Sequence, residues 1–456
     1  MKITFISDTH HYSKTLGTTG EAYELRSGSD QKCLAETGEI IDAAFEQIAK
    51  NDTEVVFILG DVSNDGERVS HEEFRKKLYI LQKSKPVYII TSTHDWCCDE
   101  NPRRFKGSET YHDVPVMKSE ELPEFYRDFG PKQAIDSFIT PIGTICYTVQ
   151  LNDKVRVLCL NDDKNEEWHA GYTEECWQWI EKQIKDANDN GFLLIGVEHH
   201  LLMPHASRLL TGGSVCVANR EAVASRFADA GLRYMLVGHS HIQATDKITS
   251  PAGNTITEIN VGSLCGYPAP IVEVTINDDK TLNYTVEHLK EFKWNGKTVD
   301  AQAYLAKHAT DMLGRVLECR NESDFVKRLG ALGIHLKNPK VLWPLLKPLI
   351  KKLDTALVWD AYILLKRLGL AKNISKKEAE KYHYKPLREM IYEVFLNLLD
   401  GQQKIHDRES TYYKMVMAVV SVPSKILKNN SDCRELLNLG DYVLTGGEIN
   451  NQHDTI

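Results

Sequence analysis

Apolar positions in the first 290 residues fall into short continuous runs that alternate with stretches of helical periodicity. Residues 3–6 predict a short strand, and 55–59, V-V-F-I-L, predict one buried on both faces. Between them Ile40, Ile41, Ala44, Phe45 and Ile48 recur at helical spacing, so 39–50 is an amphipathic helix. Strand, helix, strand in this order implies a right-handed βαβ unit with parallel strands. The pattern continues with a helix over 71–82 and a strand over 87–91. A hairpin over 144–151 and 154–161 follows, then a helix over 173–188 with Thr173 as its N-cap. A strand over 192–197, a helix over 220–230 and a strand over 233–237 come next. Strands at 245–249, 255–261 and 270–276 complete the sheets. Residues 11–37 are polar and glycine-bearing and read as a long loop over the strand ends, while 97–135 carry no clear pattern.

Near Lys290 the pattern changes, and helical periodicity takes over. Leu305, Ala309, Met312, Leu313, Val316 and Leu317 form one apolar face. Leu387, Met390, Ile391, Val394, Phe395, Leu398 and Leu399 form another. The expectation is an α/β domain over 1–288 and an all-helical C-terminal domain over 289–456.

Bulk properties narrow the class. At 456 residues the chain can build two or three cores. A net charge of −9 disfavours a general nucleic-acid binder. No apolar run reaches the length of a membrane span, and residues 1–8 do not form a signal peptide, so a cytoplasmic protein with no membrane contact is expected. The 10 cysteines lack paired C-x-x-C spacing and read as free thiols.

The chemistry lies where strands end. A carboxylate at the mouth of a buried strand needs a cationic partner, and Gly60 lets one approach the backbone. Asp61 is therefore read as a carboxylate shared by two metal ions. A lone Gly-Asp is more often a turn, so the partners decide. Asp8 with His10, His94 with Asp95, His199, and His239 with His241 all follow strands as well. Ligand sites in open α/β sheets gather at these carboxyl ends. Five such clusters together point to a metal site.

D-x-H at 8–10, G-D-x-x-N-D-G at 60–66, T-H-D at 93–95, H-H at 199–200 and G-H-S-H at 238–241 resemble the calcineurin-like metallophosphoesterases. The resemblance spans roughly residues 1–285 and leaves the helical segment outside. It implies a two-sheet sandwich flanked by helices. It also implies two divalent transition-metal ions drawn from Mn, Fe, Zn or Ni. Asp8, His10 and His241 would hold one ion, His199 and His239 the other, and Asp61 would bridge them. A metal-bridging hydroxide would attack a phosphoester, His94 would protonate the leaving group, and Asp95 would orient the His94 ring. His199 rather than His200 is taken as the ligand; His200 and His11 are read as polar rim residues, Asn64 as a turn residue and Asn161-Asp162 as structural.

One position departs from the family pattern, which has Gly-Asn-His where this chain has Ser92-Thr93-His94. Either Thr93 ligates the second metal, or water fills the gap, or that metal binds weakly. The motif forms lean towards a small-molecule or cyclic-nucleotide phosphodiester as substrate. Two alternatives stand beside this: a catalytically weakened scaffold, and a protein or nucleotide phosphomonoesterase. The helical domain is a candidate homo-oligomer interface.

Overall fold

The computed structural model describes residues 1–456 apart from 164–169, 208–214, 320, 332–338, 354 and 427–429. Two sheets stack face to face. The first has six strands in the order His453–Thr455, Leu282–His288, Pro270–Ile276, Lys2–Ile6, Val55–Leu59, Val87–Ile90. The second has seven, in the order Ala244–Thr249, Thr255–Asn260, Tyr234–Val237, Leu193–Val197, Val155–Cys159, Ile145–Gln150, Asp136–Ile139. The strands that lead to the site are parallel within each sheet: Lys2–Ile6 beside Val55–Leu59 beside Val87–Ile90, and Leu193–Val197 beside Tyr234–Val237.

The two-residue side-chain period explains the layers. Val55, Phe57 and Leu59 point inward and pack with Ile3, Phe5, Val157, Ile195 and Leu236 between the sheets. Val56 and Ile58 point outward, against Ile41, Phe45 and Phe74 of the helices Thr37–Lys50 and Arg68–Gln82. The helices Glu174–Asp189 and Arg220–Ala230 cover the outer face of the second sheet through Trp177, Ile180, Ile184 and Phe227. Being covered on both faces is why Val55–Leu59 carries no polar residue.

The segment after residue 289 is largely helical but not wholly so. Glu291–Trp294 and Lys297–Asp300 pair as a hairpin across Asn295-Gly296, and His453–Thr455 joins the edge of the first sheet. Leu282–His288 and Asp136–Ile139 are further strands outside the predicted set. Nor is 11–37 an open loop: it holds the helix Glu21–Ser27 and short turns at Lys14–Leu16 and Leu34–Glu36. The helices have their own core around Val358, Tyr362, Met390, Tyr412, Met415 and Leu444. Ala309, Leu398 and Val443 pack on Ile242 and Ala244, directly after the G-H-S-H segment. Among the described residues no disulfide forms between any of the ten cysteines. No helix among the described residues is long and apolar enough to cross a membrane.

Candidate metal centre

Five parallel strands, three from the first sheet and two from the second, end at one rim, and their first loop residues converge there. Asp8, His10, Asp61, His239 and His241 all take left-handed backbone, with φ of 51°, 38°, 47°, 66° and 59°. Such backbone costs a non-glycine residue about 1–3 kcal/mol and persists only where the surroundings impose it. Here they do: His10 N donates to Asp61 O (2.9 Å) and His239 N to Asp8 Oδ2 (3.0 Å). Two glycines make the crowding possible. A Cβ on Gly60 would lie 2.6 Å from His199 Nδ1, and one on Gly238 would lie 1.9 Å from Ser7 Oγ and 2.6 Å from Asp8 Oδ2.

The side chains form two neighbouring triads. In the first, His10 Nε2 and His241 Nε2 are 3.1 Å apart and lie 3.6 and 3.3 Å from Asp8 Oδ1. In the second, His199 Nε2 lies 3.1 Å from Asp61 Oδ2 and 3.2 Å from His239 Nδ1. Asp61 Oδ2 is also 3.8 Å from His10 Nε2, so this carboxylate stands between the two groups. Donor atoms each about 2.1 Å from one ion and at about 90–110° to each other are separated by about 3.0–3.4 Å. The spacing fits two transition-metal ions, and Asp8 Oδ1, buried without a hydrogen-bond donor, is an acceptor that a cation would satisfy. His199 Nδ1 donates to Leu59 O (2.7 Å), which leaves Nε2 as its lone pair for a metal.

Electrostatics agree with this division for Asp8, Asp61, His10 and His239. At His199 burial opposes the charged form, but Asp61 and Asp8 outweigh it and raise the pKa well above the ordinary histidine value, so a cation bound there would have to displace its proton. Burial opposes the charged form of Asp8, but His241, His10 and His199 hold its carboxyl well below the ordinary range. Asp61 is lowered likewise against its burial, chiefly by His199 and His94. Burial and then Lys32 push His10 down to about 3, and burial with the neighbouring His200 and His199 pushes His239 down. Both rings are thus neutral, as ligation requires.

His94 sits beside His10, ring edge to face at 4.8 Å, with a third of its side chain exposed. Burial and Lys32 pull its pKa down, but Asp61 and Asp65 outweigh them and hold it above the ordinary histidine value. Its backbone N donates to Asp61 Oδ1 (3.1 Å) and its Nδ1 donates to Asn64 O.

The expected role of Asp95 is corrected here. Its Oδ1 accepts from Ser63 N (2.9 Å) and its Oδ2 from Ser92 N (2.9 Å), so the carboxylate points away from the His94 ring. Asn64 O and Asp65, 3.7 Å from His94 Nδ1, orient that ring instead. Asp95 ties the Asp61 loop to the turn Thr93–Trp96, where half-buried Thr93 is the first residue.

His200 and His11 are not rim residues. His200 is buried with Nδ1 3.1 Å from Asp162 Oδ1, and His11 is buried with Nε2 3.0 Å from Glu73 Oε2. Asp162, Asp163 and His200 bring three more donors together. These are already satisfied: Asp163 accepts from Ser92 Oγ (2.7 Å) and Trp96 Nε1 (2.9 Å), and Asp162 Oδ2 accepts from His200 N (2.9 Å). The run Asn161-Asp162-Asp163 at a strand end was the visible signal for this support.

The sequence matches the calcineurin-like phosphoesterase family over residues 1–243. No curated protein matches it. Similar solved structures include a dimetal phosphatase from Danio rerio, at 14% identity, 66% of this chain, 99% of that one and TM-score 0.44. Purple acid phosphatase PPD1 from yellow lupin (Lupinus luteus) seeds is 13% identical, with 66% and 52% covered and TM-score 0.41. A 5'-nucleotidase precursor from Thermus thermophilus is 12% identical, with 70% and 59% covered and TM-score 0.35. The chain thus spans nearly all of the first and little more than half of the other two. Because the family match covers more than half the sequence and takes in both triads, this chain belongs to the calcineurin-like phosphoesterases and is a metal-dependent hydrolase of phosphoesters.

Proposed function

We propose that the substrate is a small-molecule phosphoester, and that Asp8, His10 and His241 hold one cation, His199 and His239 a second, with Asp61 shared and Thr93 completing the second site. The observation that carries this is the position of Asp61 Oδ2, 3.1 Å from His199 and 3.8 Å from His10, between two donor groups. When bound, the ion pair supplies positive charge to the phosphoryl oxygens and activates water. The remaining work falls to the chain. Asn64 O fixes the His94 tautomer by accepting from Nδ1, which leaves Nε2 to deliver a proton to the departing alkoxide. The raised pKa of His94 keeps that proton available near neutral pH.

The motif forms lean towards a phosphodiester, cyclic nucleotides included. The test supplies Mn²⁺ to the purified chain and compares an aryl phosphomonoester, an aryl phosphodiester and cyclic nucleotides, with bound metals identified by elemental analysis. Turnover of at least one ester is expected. Two metals bound with no turnover of any would support a non-catalytic scaffold.

A further inference from the structure

Arg103 has no part in the centre as described, yet it stands beside His94, the residue read above as proton donor. One oxygen joins them: Asp65 Oδ1 is 3.7 Å from His94 Nδ1 and 2.7 Å from Arg103 Nη2. Three loops meet at this point. The residues after His94 are held to its turn, with Cys97 N donating to His94 O (3.2 Å) and Cys98 N to Thr93 O (3.0 Å). They also press on the loop of Asp61 and Asp65, where a Cβ on Gly66 would lie 2.7 Å from Cys97 N. Directly after Arg103, the strands Arg104–Lys106 and Glu109–Tyr111 pair as a hairpin that lies against the helix Glu21–Ser27. Phe105 packs edge-on to Tyr23 at 5.7 Å, and Ala22 N donates to Gly107 O (3.1 Å).

The guanidinium of Arg103 is half used. Such a group offers two edges with paired N–H donors, Nε with one Nη at the side and both Nη at the end. Asp65 takes the side edge, with Nε 2.8 Å from Oδ2 and Nη2 2.7 Å from Oδ1. No described residue hydrogen-bonds Nη1, so the end edge keeps two parallel donors, and a fifth of the side chain is open to solvent. A third of the His94 side chain is open too, whereas Asp65 between them is 1% exposed. The open parts of both side chains therefore flank one buried carboxylate. Asp65 also decides what the end edge suits. It already balances the charge of the arginine, so a dianion there would bring excess negative charge. A carboxylate, with one charge and two coplanar oxygens, matches the two free N–H groups.

We propose that Arg103 selects phosphoesters whose departing alcohol carries a carboxylate, which the end edge binds while His94 protonates the ester oxygen. His94 serves the leaving group, so its neighbour meets the substituents of that group rather than the phosphoryl oxygens drawn to the ions. This rests on the phosphoesterase reading above and deepens it by naming a substrate class.

The test uses the full metal-loaded chain and two leaving groups of one shape and similar acidity, 4-hydroxybenzoate and 4-hydroxybenzamide. Each is supplied as the phosphomonoester or the methyl phosphodiester, whichever the chain turns over. kcat/KM is expected to favour the carboxylate by roughly tenfold, and Arg103→Gln to abolish that preference. A role confined to positioning His94 through Asp65 would slow both esters equally. The matching benzylphosphonates, with CH2 in place of the ester oxygen, cannot be cleaved. Titrated calorimetrically, they should show the same preference in Kd, with metal content unchanged. Arg103→Lys keeps a charge beside Asp65 without the fork and should lose most of the preference, so the comparison stands if the Gln variant does not fold. No preference in the unaltered chain, or one that survives undiminished in either variant, would overturn the assignment. If the unaltered chain hydrolyses neither ester, the phosphoesterase reading fails, and the phosphonates alone decide Arg103.

Discussion

Glu67 lies just past the G-D-V-S-N-D-G motif and tests how this loop bears its charge. Its side chain is fully buried, and neither carboxylate oxygen has a well-formed hydrogen bond. Burial, and after it the charge of Asp65, push its pKa from 4.5 up to about 7. The folded protein therefore keeps a proton that the unfolded chain releases. Stability falls as pH rises from about 4.5 to about 7, and above that the loss is complete. The gap is worth about 3 kcal/mol, a substantial part of a domain's net stability. Glu67→Gln replaces the carboxyl by a neutral group of the same shape and removes the penalty. Urea unfolding of both chains at pH 5 and pH 8 measures it, because their difference cancels the other titrating groups. The variant should be more stable by about 3 kcal/mol at pH 8 and by under about 1 kcal/mol at pH 5. The same difference at both pH values would refute the argument, since packing rather than ionisation would then account for it.

The two aspartates near His94 should separate cleanly. Asp65→Asn weakens the support of the His94 ring, and kcat/KM for alkyl phosphates should fall by roughly tenfold more than for activated aryl phosphates. Asp95→Ala leaves Ser63 N and Ser92 N without acceptors and should cost roughly 2–5 kcal/mol in denaturant unfolding, with the leaving-group dependence unchanged. Thr93→Asn offers a carbonyl in place of a hydroxyl and should tighten the weaker step of a Mn²⁺ titration of metal-free protein. Because a hydroxyl is a weaker neutral donor than an amide carbonyl, the unaltered chain should show two unequal steps, and two equally tight ones would contradict this.

Much of the centre was legible because its donors leave strands whose cores are written locally. Val55–Leu59 needs no partner to be recognised, and Asp61 follows from where it ends. The short edge strands were not legible for the opposite reason. Asp136–Ile139 and His453–Thr455 owe their conformation to the neighbour they pair with, and their own residues are mostly exposed. The hairpin at 291–300 did carry a local signal, Asn295-Gly296, which the helical periodicity around it hid.

The misassigned partner of His94 shows a deeper limit. Asp95 adjoins it in sequence, but consecutive residues of a tight turn point in different directions, and Asp95 turns back to cap its own turn through Ser92. The groups that do meet the ring, Asn64 O and Asp65, come from another strand's loop some thirty positions earlier. A backbone carbonyl is common to every residue, so no spelling could single out the one at Asn64. What sequence conveys here is which side chains stand at the rim; which groups meet there depends on contacts between segments as far apart as those of His10 and His241.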